Sequence, residues 1–369
     1  MKNAARRLRH PLVAAAVLAA TVVTATGLAA AARATEGNSF AVHNLVSDEA
    51  GVADHTDSHL VNAWGLAALP MSPWWVADNG TNVSTVYRAD GSAFVPMGSA
   101  VPLVVSVPNA PTGLVANPGG NFVVHEGGAS GAARFIWDTE EGKILGWSPA
   151  VAGDHAVEAV DRSAAGAIYK GLAISMNADT LYAADFHNAH VDVFDSSFGL
   201  VTNAGAFVDP KLPGGYAPFG IADLGGTVFV GYAKQDAAGE DEIAGQGLGF
   251  VDAYSESGTF LGRVASHGQL NAPWGLARAP AGFGSFGGDL LVGNFGDGEI
   301  NAYAPQPDGS YERVDALRGA NHKPILIDGL WALSFGKGAL TNNGPTDTLF
   351  FTAGPDDETH GLFGTIHAN

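Results

Sequence analysis

There is no cysteine anywhere in the chain. That excludes a disulfide framework and thiolate metal sites, so the fold must be held by its own core. Basic residues are scarce as well: 18 Lys and Arg stand against 37 Asp and Glu, a formal charge of −19. A surface of that sign repels nucleic acid and anionic membranes. Helix-like periodicity is nearly absent, and long apolar runs are limited to one, from Pro11 to Ala32. No Gly-x-Ser-x-Gly elbow and no His-Glu-x-x-His occurs, and the Gly-rich stretch 128–131 lacks the Lys-Ser/Thr of a phosphate loop. Glycine, by contrast, is plentiful at 50 residues, which suits an all-β chain with many tight turns.

The apolar run follows a basic segment containing Arg6, Arg7 and Arg9, and it ends at Ala32-Arg33-Ala34, an Ala-x-Ala cleavage pattern. Residues 1–34 therefore read as a secretory signal peptide and 35–369 as the folded part. A secreted, extracellular protein without stable membrane insertion after cleavage is the expectation. The remaining length is ample for one hydrophobic core.

One phrase recurs. Asn271-Ala-Pro-Trp-Gly-Leu-Ala is echoed by Asn62-Ala-Trp-Gly-Leu-Ala and Asn109-Ala-Pro-Thr-Gly-Leu-Val. Weaker copies are Tyr169-Lys-Gly-Leu-Ala, Ala217-Pro-Phe-Gly-Ile-Ala and Asp328-Gly-Leu-Trp-Ala-Leu. The glycine falls at 65, 113, 171, 220 and 275, with Trp331 in its place in the sixth copy. Spacings of 48 to 58 residues mark a repeat architecture. Within each unit, short β-branched and aromatic runs alternate with Asn-Gly, Asp-Gly and Pro breaks, the pattern of a four-stranded antiparallel blade. The units begin near 60, 109, 167, 216, 271 and 328.

The last unit stops one strand short, while the stretch 39–47 is a strand with no partner in the first unit. The two fit together. A single six-bladed β-propeller, closed by the N-terminal strand completing the last blade, accounts for both and leaves no open edge at the seam. The repeated glycines are expected where inner strands crowd the axis. The insert 235–247, rich in Gly and acidic residues, reads as a mobile, solvated loop.

The ends of the second strands carry the chemistry. Taking 121–126 as the second strand of unit two, the aligned ends are Asp78, His125, Asp185, Tyr232, Asn294 and Ala353, and two positions on come His187 and Lys234. Polar residues of varied type around a ring suit a shared mouth that receives a ligand. Asp78, Asp185 and Asn294 are donors for a divalent metal such as calcium, and Glu126 with His125 could serve as base toward an activated water. The same residue types also cap strand ends without any ligand. His187, Tyr232 and Lys234 would line the mouth.

The repeated phrase, the strand Leu290-Leu-Val-Gly-Asn-Phe-Gly296 and the opening Phe40-Ala-Val-His-Asn-Leu-Val-Ser47 resemble a family of uncharacterised exported bacterial proteins. That family is similar in outline to NHL-repeat and gluconolactonase-like six-bladed propellers. The gluconolactonase likeness implies a metal held by acidic and Asn side chains at the channel mouth, for which Asp78, Asp185 and Asn294 are the matching types. Two functions are expected from these features: a binding or scaffold protein that takes a small molecule, glycan or protein at the mouth, or a metal-dependent hydrolase of a small lactone or ester.

Overall fold

The structure, a computed structural model, describes residues 37–202 and 205–369; the expected signal segment lies outside the described residues. The chain opens with β1 (Phe40–Ser47) and β2 (His55–Thr56). Blade one is β3 (Ala63–Ala67), β4 (Trp74–Asp78), β5 (Val83–Tyr87) and β6 (Val104–Ser106). Blade two holds β7 (Pro111–Ala116), an inserted hairpin of β8 (Val123–Glu126) and β9 (Ala129–Ala132), then β10 (Phe135–Thr139), β11 (Lys143–Trp147) and β12 (Val157–Asp161). Blade three has three strands among the described residues, β13 (Tyr169–Ile174), β14 (Thr180–Asp185) and β15 (His190–Asp195). Blade four is β16 (Tyr216–Asp223), β17 (Thr227–Gln235), the short β18 (Glu242–Ile243), β19 (Gly249–Ser255) and β20 (Phe260–Ser266). Blade five is β21 (Pro273–Arg278), β22 (Leu290–Asn294), β23 (Ile300–Pro305) and β24 (Tyr311–Ala316). Blade six is β25 (Leu330–Phe335), β26 (Leu349–Ala353) and β27 (Leu362–Ala368).

These sheets form a six-bladed β-propeller. The N-terminal strand closes it: β1 runs antiparallel to β27 from Phe40↔Ala368 to Ser47↔Leu362. Pairing with β1 covers the backbone groups of β27 that would otherwise template association.

Register decides which residues are equivalent. Inner and second strands pair Ala63↔Asp78, Pro111↔Thr139, Tyr169↔Asp185, Pro218↔Tyr232, Pro273↔Asn294 and Leu330↔Ala353. Two expectations are corrected. The second strand of blade two is β10, so Thr139 holds the position assigned to His125. In blade six, Leu333↔Phe351 corresponds to Leu66↔Val76; Trp331 is therefore the counterpart of Trp64 and Trp274, and Ala332 takes the glycine position.

Crowding at the axis explains the glycines. A Cβ on Gly113 would lie 2.2 Å from the Leu172 nitrogen, and one on Gly220 would lie 2.0 Å from the Trp274 carbonyl oxygen. No side chain fits where neighbouring inner strands approach so closely. One position earlier, buried aromatics fill the axis. Trp64 stacks on Trp331 at 3.4 Å, Phe295 stacks on the same indole at 4.1 Å, and Trp274 meets Trp331 edge-on at 5.7 Å. This plug closes the channel at the face where the second strands end, called the mouth face below.

Candidate functional site

Lys170 is the exception in the plug. The register places it where other blades carry Trp64, Thr112, Phe219, Trp274 and Trp331. Its side chain is only 2% exposed, with Nζ 2.5 Å from Glu140 Oε1 and 3.0 Å from Asp241 Oδ1. The ammonium also lies 5.5 Å from the Trp64 ring centroid. A buried cation needs partners of this kind.

Neighbouring groups extend the network to every blade. The Asn79 amide donates to Glu140 Oε2 at 3.0 Å, and the Asn62 amide donates to Glu358 Oε2 at 2.6 Å. The Trp331 indole N–H donates to Asn62 Oδ1 at 3.1 Å, while that of Trp274 donates to the Lys170 carbonyl at 2.6 Å. The acidic loop 235–247 stays largely exposed, as its composition suggested, but it is anchored rather than free. Pairing of β18 with β17, Lys234↔Ile243, folds it over the mouth.

The electrostatics follow from this enclosure. Burial opposes the Lys170 charge, but Glu140, Glu242 and Asp241 outweigh it and raise its pKa. Burial pushes the Glu242 carboxyl up to about 7, although Lys170 pulls the other way. Burial also raises Glu358, against the hydrogen bond from Asn62. The mouth thus pairs a firmly charged ammonium with a carboxyl that titrates near neutrality, a combination associated with functional sites.

A second cluster lies on the rim of the mouth face. Asp185, His190 and Asp192 each offer a ligand atom, and these atoms lie within 4.8 Å of one another. They could coordinate a divalent metal. The β14–β15 ladder sets Asp185 opposite His190, and the period of two puts Asp192 on the same face as His190. Asp192 Oδ2 accepts from the Tyr169 hydroxyl at 2.7 Å and from Arg162 Nε at 3.4 Å, which leaves Oδ1 facing His190 Nε2 at 3.0 Å. His190 Nδ1 lies 3.3 Å from the Asn188 carbonyl. With a proton on Nδ1 held there, an ion would take the place of the Nε2 proton that His190 shares with Asp192 Oδ1. Burial raises the Asp185 pKa; hydrogen bonds from His190 and Tyr169 overcome burial to lower that of Asp192. Tyr169 and Lys170 reach to different partners, so the triad and the axial cluster flank β13. The loop that covers the mouth joins them, since the Gln235 side-chain amide donates to the Phe186 carbonyl at 2.7 Å, next to Asp185.

Of the expected metal donors, the triad contains Asp185 alone. Asp78 is fully buried and accepts from the Thr85 backbone N–H within blade one; burial holds its pKa well above the carboxylate range. Asn294 donates to Gln269 and Asp297 within blade five. His125 and Glu126 lie elsewhere. Their hairpin belongs to the connection from β7 to β10, at the face opposite the mouth, and Glu126 meets His155 at 2.8 Å. Tyr232 is buried with its hydroxyl 2.7 Å from that of Tyr254, Lys234 lies over the Tyr216 ring at 5.2 Å, and His187 is exposed on the rim. Lys170, the one charged residue at the motif's repeated position, lies outside the set of residues expected from the sequence. Asp192 lies outside that set too, although its spacing of two from His190 is visible in the sequence.

The fold and the mouth define the class: a six-bladed β-propeller with polar groups gathered over an aromatic plug. The chain belongs to one family with the uncharacterised proteins R648 and L690 of Acanthamoeba polyphaga mimivirus. It is 32% identical to the former over 333 residues, 88% of this chain and 79% of the relative. Against the latter it is 32% identical over 337 residues, 88% and 85% of the two chains. No family model matches. Among solved structures, a glucose dehydrogenase is similar in fold at a TM-score of 0.53 and 12% identity, over 89% of this chain and 99% of that one. A streptogramin B lyase follows at 0.50 and 12%, over 89% and 98%. No helix among the described residues is long and apolar enough to cross a membrane.

Proposed function

We propose that this propeller is a metal-dependent hydrolase of small esters or lactones, acting on the mouth face. The Asp185–His190–Asp192 set carries this reading: two carboxylates and an imidazole converge, with the imidazole open to solvent. An imidazole among the donors favours a borderline ion such as zinc over calcium, while the two carboxylates also suit manganese. A divalent ion held there supplies Lewis-acid polarisation of a carbonyl. Tyr169 and Arg162 orient Asp192, and the Asn188 carbonyl fixes the His190 tautomer. Glu242, whose carboxyl is pushed up to about 7, would accept the proton from a substrate that reaches across the mouth, with Lys170 favouring developing negative charge.

The test is calorimetry with zinc and manganese, followed by ion-dependent hydrolysis of a panel of lactones and aryl esters. One ion per chain is expected. Asp192→Asn should weaken binding at least about tenfold, in line with losses seen when ligand shells are disturbed. A chain that binds no ion stoichiometrically would sink this reading. Binding of a small molecule without turnover is the second reading. It is favoured by the Lys170 network, which gathers groups from all six blades on the axis, whereas the triad sits to one side.

A further inference from the structure

Behind the aromatic plug, the channel holds a cavity of about 580 Å³, within the range of small-molecule sites. Its wall is aliphatic, with Leu66, Leu114, Leu172, Ile221, Leu276 and Leu333 contributed by the six inner strands. Trp274 lines it toward the mouth. At the other end, where inner strands finish, Asp223, Arg278 and Lys337 line it.

The two cations of this rim lack carboxylate partners among the described residues. The Lys337 ammonium has Ser334 Oγ at 3.3 Å and the Trp74 ring centroid at 5.9 Å. Desolvation by the surrounding wall lowers its pKa. The Arg278 guanidinium lies over the Phe229 ring at 5.8 Å. In a chain with twice as many acidic as basic residues, two cations without carboxylates beside an apolar channel form a local reversal of charge. The acid of this rim, Asp223, is turned to the Gly226 backbone N–H at 2.7 Å. Burial raises its pKa, as does neighbouring Glu256.

We propose that the channel binds a single-chain aliphatic carboxylate from the face opposite the mouth. The tail would displace water from the aliphatic wall, and the carboxylate would meet Lys337 and Arg278. Chain length is limited by the plug. The site is separate from the triad and needs no ion.

Calorimetry on the full chain with a chelator present tests this, using decanoate, decanol and decyltrimethylammonium. Saturable one-to-one binding of decanoate is expected, with decanol weaker and the cation weakest. The double variant Lys337→Gln/Arg278→Gln should weaken decanoate at least about tenfold, the loss of a charge-assisted contact, and leave decanol unchanged. A melting curve checks the fold; if the double variant fails to melt cooperatively, Arg278→Gln alone must show the same selective loss. Equal binding of decanoate and decanol, no saturable decanoate binding, or decanoate affinity unchanged in the variant would each overturn the proposal. Because the ion is chelated throughout, its failure is distinct from failure of the hydrolase reading.

Discussion

Gly220 and Lys170 show what single residues do at the axis. Gly220 has no room for a methyl group, because the Trp274 carbonyl of the next blade occupies that space. Gly220→Ala must displace backbone rather than a side chain, and about 3 kcal/mol of destabilisation is expected from such overpacking. Lys170 is held by carboxylates on either side. Lys170→Met would leave Glu140 and Asp241 unpaired, but these carboxylates are 29% and 73% exposed, so a loss smaller than the ~3–5 kcal/mol of a fully buried pair is expected. Urea denaturation measures both, and a Lys170→Met chain as stable as the parent would show that the network does not support the fold. The glycine was legible in the sequence as a crowding signal because five of the six inner strands carry glycine at the close approach, with Ala332 in the sixth. Lys170 was visible in the same motif. Its meaning was not, since its partners Glu140 and Asp241 lie 30 and 71 residues away.

At the scale of elements, β1 has the largest consequence. It buries Phe40, Leu45 and Val46 and covers the edge of β27. Removal of 37–47 should expose that edge and abolish cooperative melting, with association by strand pairing. Calorimetry and size-exclusion chromatography of the truncated chain decide this; a monomer that melts sharply near the parent temperature would mean that blade six is complete without β1. This element was readable because an unpartnered first strand and a short last unit imply one another. The hairpin of β8 and β9 was not. Residues 121–126 have the composition of a second strand, but composition specifies an extended chain, not its partner. Pairing with β9 made a local hairpin, and β10 took the place beside β7.

Across the whole molecule, several carboxyls are more comfortable neutral than charged. Asp138, Asp252 and Glu242 are each pushed up to about 7, in every case by burial. Their unfolded values lie near about 4. Neutral carboxyls therefore favour the fold below that value, and the contribution is lost as pH rises through about 7. The acids lowered by their partners titrate below this window and do not offset it. The melting temperature is expected to be higher at pH 5 than at pH 8, and Asp138→Asn should flatten the difference. A scan with the opposite slope would refute the assignment.

The same scale separates what each level determined. Repeat length, blade number and closure by the first strand were set by local signals: turn residues, strand composition and the recurring small residue at the axis. Those signals act within one blade or between neighbours, so they can be read along the chain. The mouth network was decided by the tertiary structure alone. Asn62 and Glu358 meet across 296 residues, and Glu140, Lys170 and Asp241 come from three different blades. Such groups are held by the curvature of the ring, which brings the same end of every second strand to one axis whatever separates them in sequence. The channel behind the plug has the same origin, because six aliphatic side chains become a wall only when six inner strands surround one space.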